Sequence, residues 1–229
     1  MVSAEPFVGR ERELAYLRRE LSAGRCVVVT GPFGIGRTSL LRHAAVEMAR
    51  EWTFVFADFE GSPGDAWREL YAAIFPRAWK RLRGERMSAR WTRFRVLNQR
   101  PESRRPAVVV LDNVARLPAS RLDFARRLRE KFLVVAIVED FVPEPAKAAL
   151  CAALWARPPL RLPHLSVEET AAYFASCSLH HGFGWGPGEI LGLARAVAGF
   201  PLGMREAMEA ERRRREPRSR GRAAVARSL

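Results

Sequence analysis

The chain has 229 residues, 48% of them hydrophobic and 10% aromatic, and 39 Lys and Arg against 25 Asp and Glu give it a net charge of +14. That apolar content builds a full core and excludes disorder of the whole chain. No run of ~18 uncharged apolar residues is present to span a membrane, and three scattered cysteines (Cys26, Cys151, Cys177) offer neither a disulfide framework nor a zinc ligand set.

Along the chain, Met1 to Pro6 lacks the basic-then-apolar layout of a signal peptide, so with unpaired thiols a reducing cytoplasm is expected. Residues 11–22 carry Leu14, Leu17 and Leu21 at helical spacing and close on Ala23-Gly24. Cys26-Val27-Val28-Val29-Thr30 reads as a buried strand and residues 38–50 as a helix. A second strand is expected over 53–58, then two Trp- and Arg-rich helices over 64–99. Further strands are expected at 108–112, 132–138 and 160–162. Strands alternating with helices predict an α/β fold with a parallel sheet covered on both faces. Beyond Leu165 the pattern is helical only, with Gly/Pro breaks at 182–188 and 199–203. The last 18 residues are basic and of low complexity, so a disordered tail is expected over 212–229.

The charge is uneven. From Pro76 to Arg105 there are eleven Arg or Lys against two Glu, and from Arg212 to Leu229 eight Arg against one Glu, so the remainder is about neutral. Arg77–Arg105 and Arg212–Arg222 are therefore the segments that would meet a polyanion, DNA or RNA first, by counterion release. A solvated arginine-rich surface is the plain alternative. Trp79, Trp91 and Phe94 lie among these arginines, where aromatics either stack on bases or fill a helix core. Core is the preferred reading.

The sharpest motif is Gly31-Pro32-Phe33-Gly34-Ile35-Gly36-Arg37-Thr38, which follows a buried strand and opens a helix. It fits G-x-x-x-x-G-[KR]-[ST]: glycines let backbone N–H groups wrap a phosphate at a helix N-terminus, and the Thr38 hydroxyl suits Mg²⁺. Arg37 stands where the motif commonly has Lys, with a wider, planar cation. Asp112 ends an apolar strand, where a carboxylate would complete the metal site.

With these residues in view, the chain resembles a P-loop ATPase of the AAA+ and STAND group, with archaeal-type and origin-recognition-like relatives. Phe7-Val8-Gly9-Arg10-Glu11 is similar to the segment that contacts adenine in that group. Val108-Val109-Val110-Leu111-Asp112-Asn113 resembles its Walker B strand, and Gly199-Phe200-Pro201 its Gly-x-Pro element. The resemblance implies a three-layer fold with sheet order 5-1-4-3-2 over residues 1–165, and a helical lid over 166–211. It implies ATP and Mg²⁺ as ligands. Val8, Gly9 and Arg10 would lie at the base, Gly31, Pro32, Phe33, Gly34, Ile35, Gly36, Arg37, Thr38 and Ser39 at the phosphates, and Thr38 with Asp112 at the metal. Pro201 would belong to the lid.

Two departures from the group bear on catalysis. Asn113 occupies the place of the usual water-polarising acid, and the fourth strand ends Val138-Glu139-Asp140 where a polar γ-phosphate sensor is usual. In the implied strand order Glu139 faces the γ-phosphate and could supply the missing carboxylate. The expected function is an ATP-binding conformational switch with slow hydrolysis, GTP remaining open as the nucleotide. The alternative is a non-hydrolysing nucleotide-binding adaptor or nucleic-acid-binding protein. In an oligomer a neighbouring subunit could supply an arginine finger, for which Arg116, Arg121, Arg126, Arg127 and Arg129 are equal candidates, and Arg205 is a candidate sensor in the lid.

Overall fold

The computed structural model describes residues 6–82 and 87–215. Five strands form one parallel sheet: β1 (Val27–Thr30), β2 (Thr53–Asp58), β3 (Ala107–Val114), β4 (Leu133–Val138) and β5 (Leu160–Arg161). Their order is β2-β3-β4-β1-β5, the order expected of a P-loop fold. Every residue of β1 is buried, as are Ala107 to Leu111 of β3, because helices cover both faces and leave no polar side to alternate with. Val28, Val109, Leu111, Val134, Ala136 and Val138 share one core cluster with Leu70, Phe124 and Leu150. The intervening residues Val27, Val29, Val110, Val135 and Ile137 are buried toward the other face, the side on which α1 (Glu11–Ser22) contributes Leu14, Leu17 and Leu21.

The crossovers are α2 (Arg37–Glu47) after β1, α6 (Ala119–Arg129) after β3 and α7 (Glu144–Leu154) after β4. Between β2 and β3 the chain makes three helices, where the sequence suggests two: α3 (Pro63–Ile74), α4 (Pro76–Arg81) and α5 (Ala89–Asn98). Pro76 explains the extra break, since it has no N–H with which to continue α3. The Glu102 carboxylate then accepts from the N–H groups of Arg77 and Ala78, both at 3.1 Å, and so caps α4. Within this insertion Trp91 packs edge-on to Tyr71 at 5.2 Å and Trp79 at 6.3 Å, so both serve the core; Phe94 is 61% exposed.

Two compact units result: residues 10–163, and residues 164–215 together with 6–9. The second unit comprises α8 (Val167–His181), α9 (Pro187–Val197) and α10 (Pro201–Arg215) around Leu165, Phe174, Cys177, Phe183, Met204 and Met208. Ser166 and Glu169 form a capping box at the start of α8, and Gly182 closes it in a left-handed conformation. Gly199 (φ +70°) is obligatory, because a Cβ there would stand 1.9 Å from the Leu165 carbonyl oxygen.

The expected start of the tail at residue 212 lies inside α10, which continues through Arg215 with ion pairs from Arg213 to Glu209 and from Arg215 to Glu211. Residues 216–229 of the expected tail, and residues 83–86 of the basic segment Arg77–Arg105, fall outside the described residues. Cys26, Cys151 and Cys177 are buried. No helix among the described residues is long and apolar enough to cross a membrane.

Candidate functional site

The site is built on the turn from β1 into α2. Gly31, Gly34 and Gly36 adopt φ +149°, +80° and +90°, conformations that side chains of L-residues disfavour. A Cβ on Gly31 would meet Ile35 Cγ2 at 3.1 Å and the Leu162 carbonyl at 3.3 Å, so the loop folds closely over its own buried isoleucine. The Ile35 N–H donates to the Pro32 carbonyl at 3.2 Å and closes the turn, leaving Phe33 at the tip 75% exposed. Gly36 occupies the N-cap of α2 with no side chain to accept from the first-turn amides, and that turn carries no acid. The amides keep their positive potential for an outside anion.

Arg10 fixes the loop from behind. It is buried, adopts φ +72°, and donates to the Ile35 carbonyl at 3.3 Å while pairing with Glu13 at 3.3 Å. The residues before it in the expected base-contacting segment, Val8 and Gly9, pack within the helical unit. Val8 lies against the Leu165–Phe174 cluster, and a Cβ on Gly9 would collide with the Glu169 carboxylate at 2.7 Å. Pro201 opens α10 in the same unit.

Thr38 and Asp112 meet as the motif reading expects: the Thr38 hydroxyl lies 3.2 and 3.1 Å from the two Asp112 carboxylate oxygens. Beside them β3 bulges between Leu111 and Val114, and Asn113 takes φ +57°, which Asn tolerates better than most residues. The bulge turns the Asn113 amide toward the neighbouring strand on the far side from β4, where it donates to Asp58 Oδ1 at 3.3 Å. Asp58 stands opposite Asp112 in the β2–β3 register, a pairing of two strand-terminal acids that the sequence displays and that motif matching passes over.

Across the loop Arg37 runs to the end of β4. Its guanidinium donates through Nη1 to the Val138 carbonyl at 2.7 Å and through Nη2 to Glu139 Oε2 at 2.6 Å. Arg37 is 7% and Glu139 17% exposed. The cation expected at the phosphates and the carboxylate expected at the water are thus joined to each other. Their opposite charges are visible in the sequence, but only the β1–β4 pairing brings positions 37 and 139 together.

Other arginines sort by environment. Arg121 is buried, donating to the carbonyls of Glu60 and Gly61 at 2.8 Å and of Arg116 at 3.3 Å, with its guanidinium 5.0 Å from the Phe59 ring centre. Arg126 and Arg127 are exposed and pair with Asp123, Arg129 lies over Trp155, and Arg116 is exposed with no ion pair to a described residue. His180 and His181 close α8. Among the described residues no group of three His, Cys, Asp or Glu is placed to hold a metal ion by itself. The hydroxyl–carboxylate pair at Thr38 and Asp112, beside the α2 N-terminus that no side chain caps, fits a phosphate chain carrying a hard divalent cation, since such a cation takes part of its ligand set from the phosphates.

Comparison with known proteins agrees with this geometry. Solved structures sharing the fold include the Orc1 protein of Aeropyrum pernix in complex with DNA (18% identity, TM-score 0.62, covering 93% of this chain and 63% of that one). A second is the RuvB Holliday junction branch migration motor of Thermotoga maritima (14% identity, TM-score 0.58, covering 90% and 63%). A third is a signal transduction ATPase with numerous domains and a tetratricopeptide repeat sensor from Pyrococcus horikoshii (20% identity, TM-score 0.52, covering 90% and 30%). The chain therefore spans less than two thirds of the length of these proteins, and at such identities the likeness is one of fold. No curated protein matches it in sequence. Residues 6–167, most of the chain, match the AAA ATPase domain. The chain belongs to that family of nucleotide-binding P-loop proteins.

Proposed function

We propose that the chain binds ATP with Mg²⁺ at Gly31–Ser39 and works as a conformational switch with slow hydrolysis, in a reducing cytoplasm. The observation that carries this reading is the Thr38 hydroxyl on the Asp112 carboxylate beside a helix N-terminus that no side chain caps. The α2 amides would hold the phosphates, and Thr38 and Asp112 the metal. Bound Mg²⁺ supplies charge neutralisation at the β- and γ-phosphates. Slow turnover is supported by two side chains. The Asn113 amide is no base and is turned to Asp58, while the Glu139 carboxylate is engaged by Arg37. Glu139 is the proposed acceptor for the attacking water's proton once that engagement ends. Gly36→Val tests the binding site directly: a β-branched residue at φ +90° is strained and places methyl groups where phosphate must pass. ATP affinity measured by calorimetry is expected to vanish, and unchanged affinity in a folded variant would sink the assignment.

A nucleic-acid role is the second reading, supported by the exposed face of α5, where Arg90, Arg93 and Phe94 lie together at helical spacing. The A. pernix structure holds DNA and the T. maritima protein moves Holliday junctions; for this chain DNA or RNA is proposed on charge and exposure. Assembly with further copies is proposed through Arg116, the exposed arginine after β3 that, unlike Arg126 and Arg127, has no ion pair to a described residue.

A further inference from the structure

We infer that Glu139 is a built-in competitor for the phosphate-binding arginine. It holds Arg37 in the nucleotide-free protein, and nucleotide binding is an exchange of anions on one guanidinium. This inference rests on the nucleotide-binding reading of the loop and adds a cost and a coupling to it.

The pair is constructed rather than incidental. Glu139 is fixed at both ends of its backbone, its N–H donating to the Val114 carbonyl at 3.1 Å and its carbonyl accepting from Val142 N–H at 3.1 Å. The neighbouring charges are engaged elsewhere: Asp140 faces Arg161 at 3.5 Å, and Lys147 holds Glu144 at 2.8 Å and the Asp140 carbonyl at 3.0 Å. Arg10, the other cation at the loop, is paired with Glu13. Arg37 and Glu139 are thus left to each other at 2.6 Å in a largely desolvated position. There a charge-assisted bond is strong and an unpaired guanidinium would be costly.

The arrangement also depends on arginine. One fork spans a fixed backbone carbonyl on β4 and a carboxylate one residue later, whereas an ammonium is a single point charge on a shorter reach. With Lys at this motif position the cation is ordinarily turned to the β- and γ-phosphates. Here a phosphate approaching Arg37 meets a cation already neutralised, and beside it a carboxylate that repels it. Two consequences follow. An incoming phosphate must take the Nη2 donor from Glu139, so its affinity is lowered by the cost of breaking that pair. Displacement also releases the Glu139 carboxylate at the end of β4, so seating the phosphates and freeing a base become one event.

The test compares the full-length parent with Glu139→Gln and Glu139→Asp, measuring affinity for ADP and for a non-hydrolysable ATP analogue, each with Mg²⁺. Glu139→Gln keeps the side-chain shape and removes the competing charge. It is expected to bind both nucleotides about 10-fold tighter, the worth of one charge-assisted hydrogen bond exchanged. Glu139→Asp is charge-conserving and safer for folding; it draws the carboxylate back by one methylene and should fall between the two. The nucleotide-free Gln variant should also melt below the parent, because its guanidinium is left buried without a counter-charge, and ADP should raise its melting temperature more than the parent's. Equal or weaker nucleotide affinity in both folded variants, with the parent still binding, overturns the competitor role alone. Failure of the parent and both variants to bind either nucleotide overturns the nucleotide reading, and the inference goes with it.

Discussion

At the C-terminal edge of the sheet three arginines, Arg10, Arg37 and Arg121, are buried, and each donates to at least one backbone carbonyl. On the α4–α5 insertion Arg77, Arg81, Arg90 and Arg93 are exposed, and none of them forms an ion pair with a described residue. The two regions use one residue type for opposite purposes. A guanidinium leaves water only where fixed acceptors replace its hydration, and carbonyls at strand ends and loop turns provide them in its own plane. On the insertion the same group keeps its water and its net charge. A total of +14 therefore counts both kinds together, and on the insertion the charge is presented at the surface without a partner among the described residues.

Truncation should separate them most sharply at Arg121. Arg121→Ala removes one guanidinium from three carbonyls and from the Phe59 ring, and is expected to lower stability by about 3 kcal/mol, read as a fall in denaturation midpoint. Arg121→Lys should recover only part, since a point charge cannot serve all three acceptors. Arg93→Ala is the control from the other region and should change stability by less than ~0.5 kcal/mol. Similar losses for both substitutions would erase the distinction.

Much of this was legible in the sequence because it is local. Val27–Thr30 and Val108–Leu111 are continuous apolar runs that only a covered parallel strand requires, and the glycine loop between strand and helix carries its own backbone requirement. Thr38 and Asp112 followed from motif position. What stayed hidden depends on strand pairing and on single dihedral angles. Arg37 reaches Glu139 because β4 lies beside β1, and Asn113 faces Asp58 because one bulge in β3 rotates it away from β4. Arg10 also donates to the Ile35 carbonyl from a left-handed φ of +72°, a contact that no motif position announces. The division of α3 from α4 was written in Pro76 and was submerged by the Trp and Arg pattern around it.

A third setting lies between the two regions: the carboxylate is buried and its arginines are exposed. Glu20 is buried while Arg25 at 2.6 Å, Arg19 at 3.3 Å and Arg157 at 3.5 Å reach it from the surface. The hydrogen bond from Arg25, chiefly, holds the Glu20 carboxyl below its ordinary value of 4.5. A carboxyl depressed on folding stabilises the protein above its unfolded pKa and loses that contribution as pH falls through the folded one. Glu20→Gln is therefore expected to cost about 1 kcal/mol at neutral pH, discounted for the exposure of its partners, and to flatten the acid limb of the stability curve below pH ~4.5. An acid limb of unchanged slope in the variant would assign that limb to other carboxylates.

The smallest expected effect on folding is the most informative about the insertion. Arg90→Gln with Arg93→Gln should leave the melting temperature within about a degree or two of the parent, because both side chains are solvated and neither holds an acceptor. If this face meets nucleic acid, the same double variant should lower the slope of log affinity against log salt by ~1.4 for a single strand, since each neutralised phosphate contributes about 0.7 there. Phe94→Ala should behave differently. Its ring is exposed on the same face and carries no charge, so loss of base stacking should weaken single-strand binding by about 1–3 kcal/mol while the salt slope stays put. Slope and intercept thus report two kinds of side chain on one helix. A slope that survives the double arginine substitution would mean that α5 is a hydrated surface and that the polyanion, if one binds, is met elsewhere.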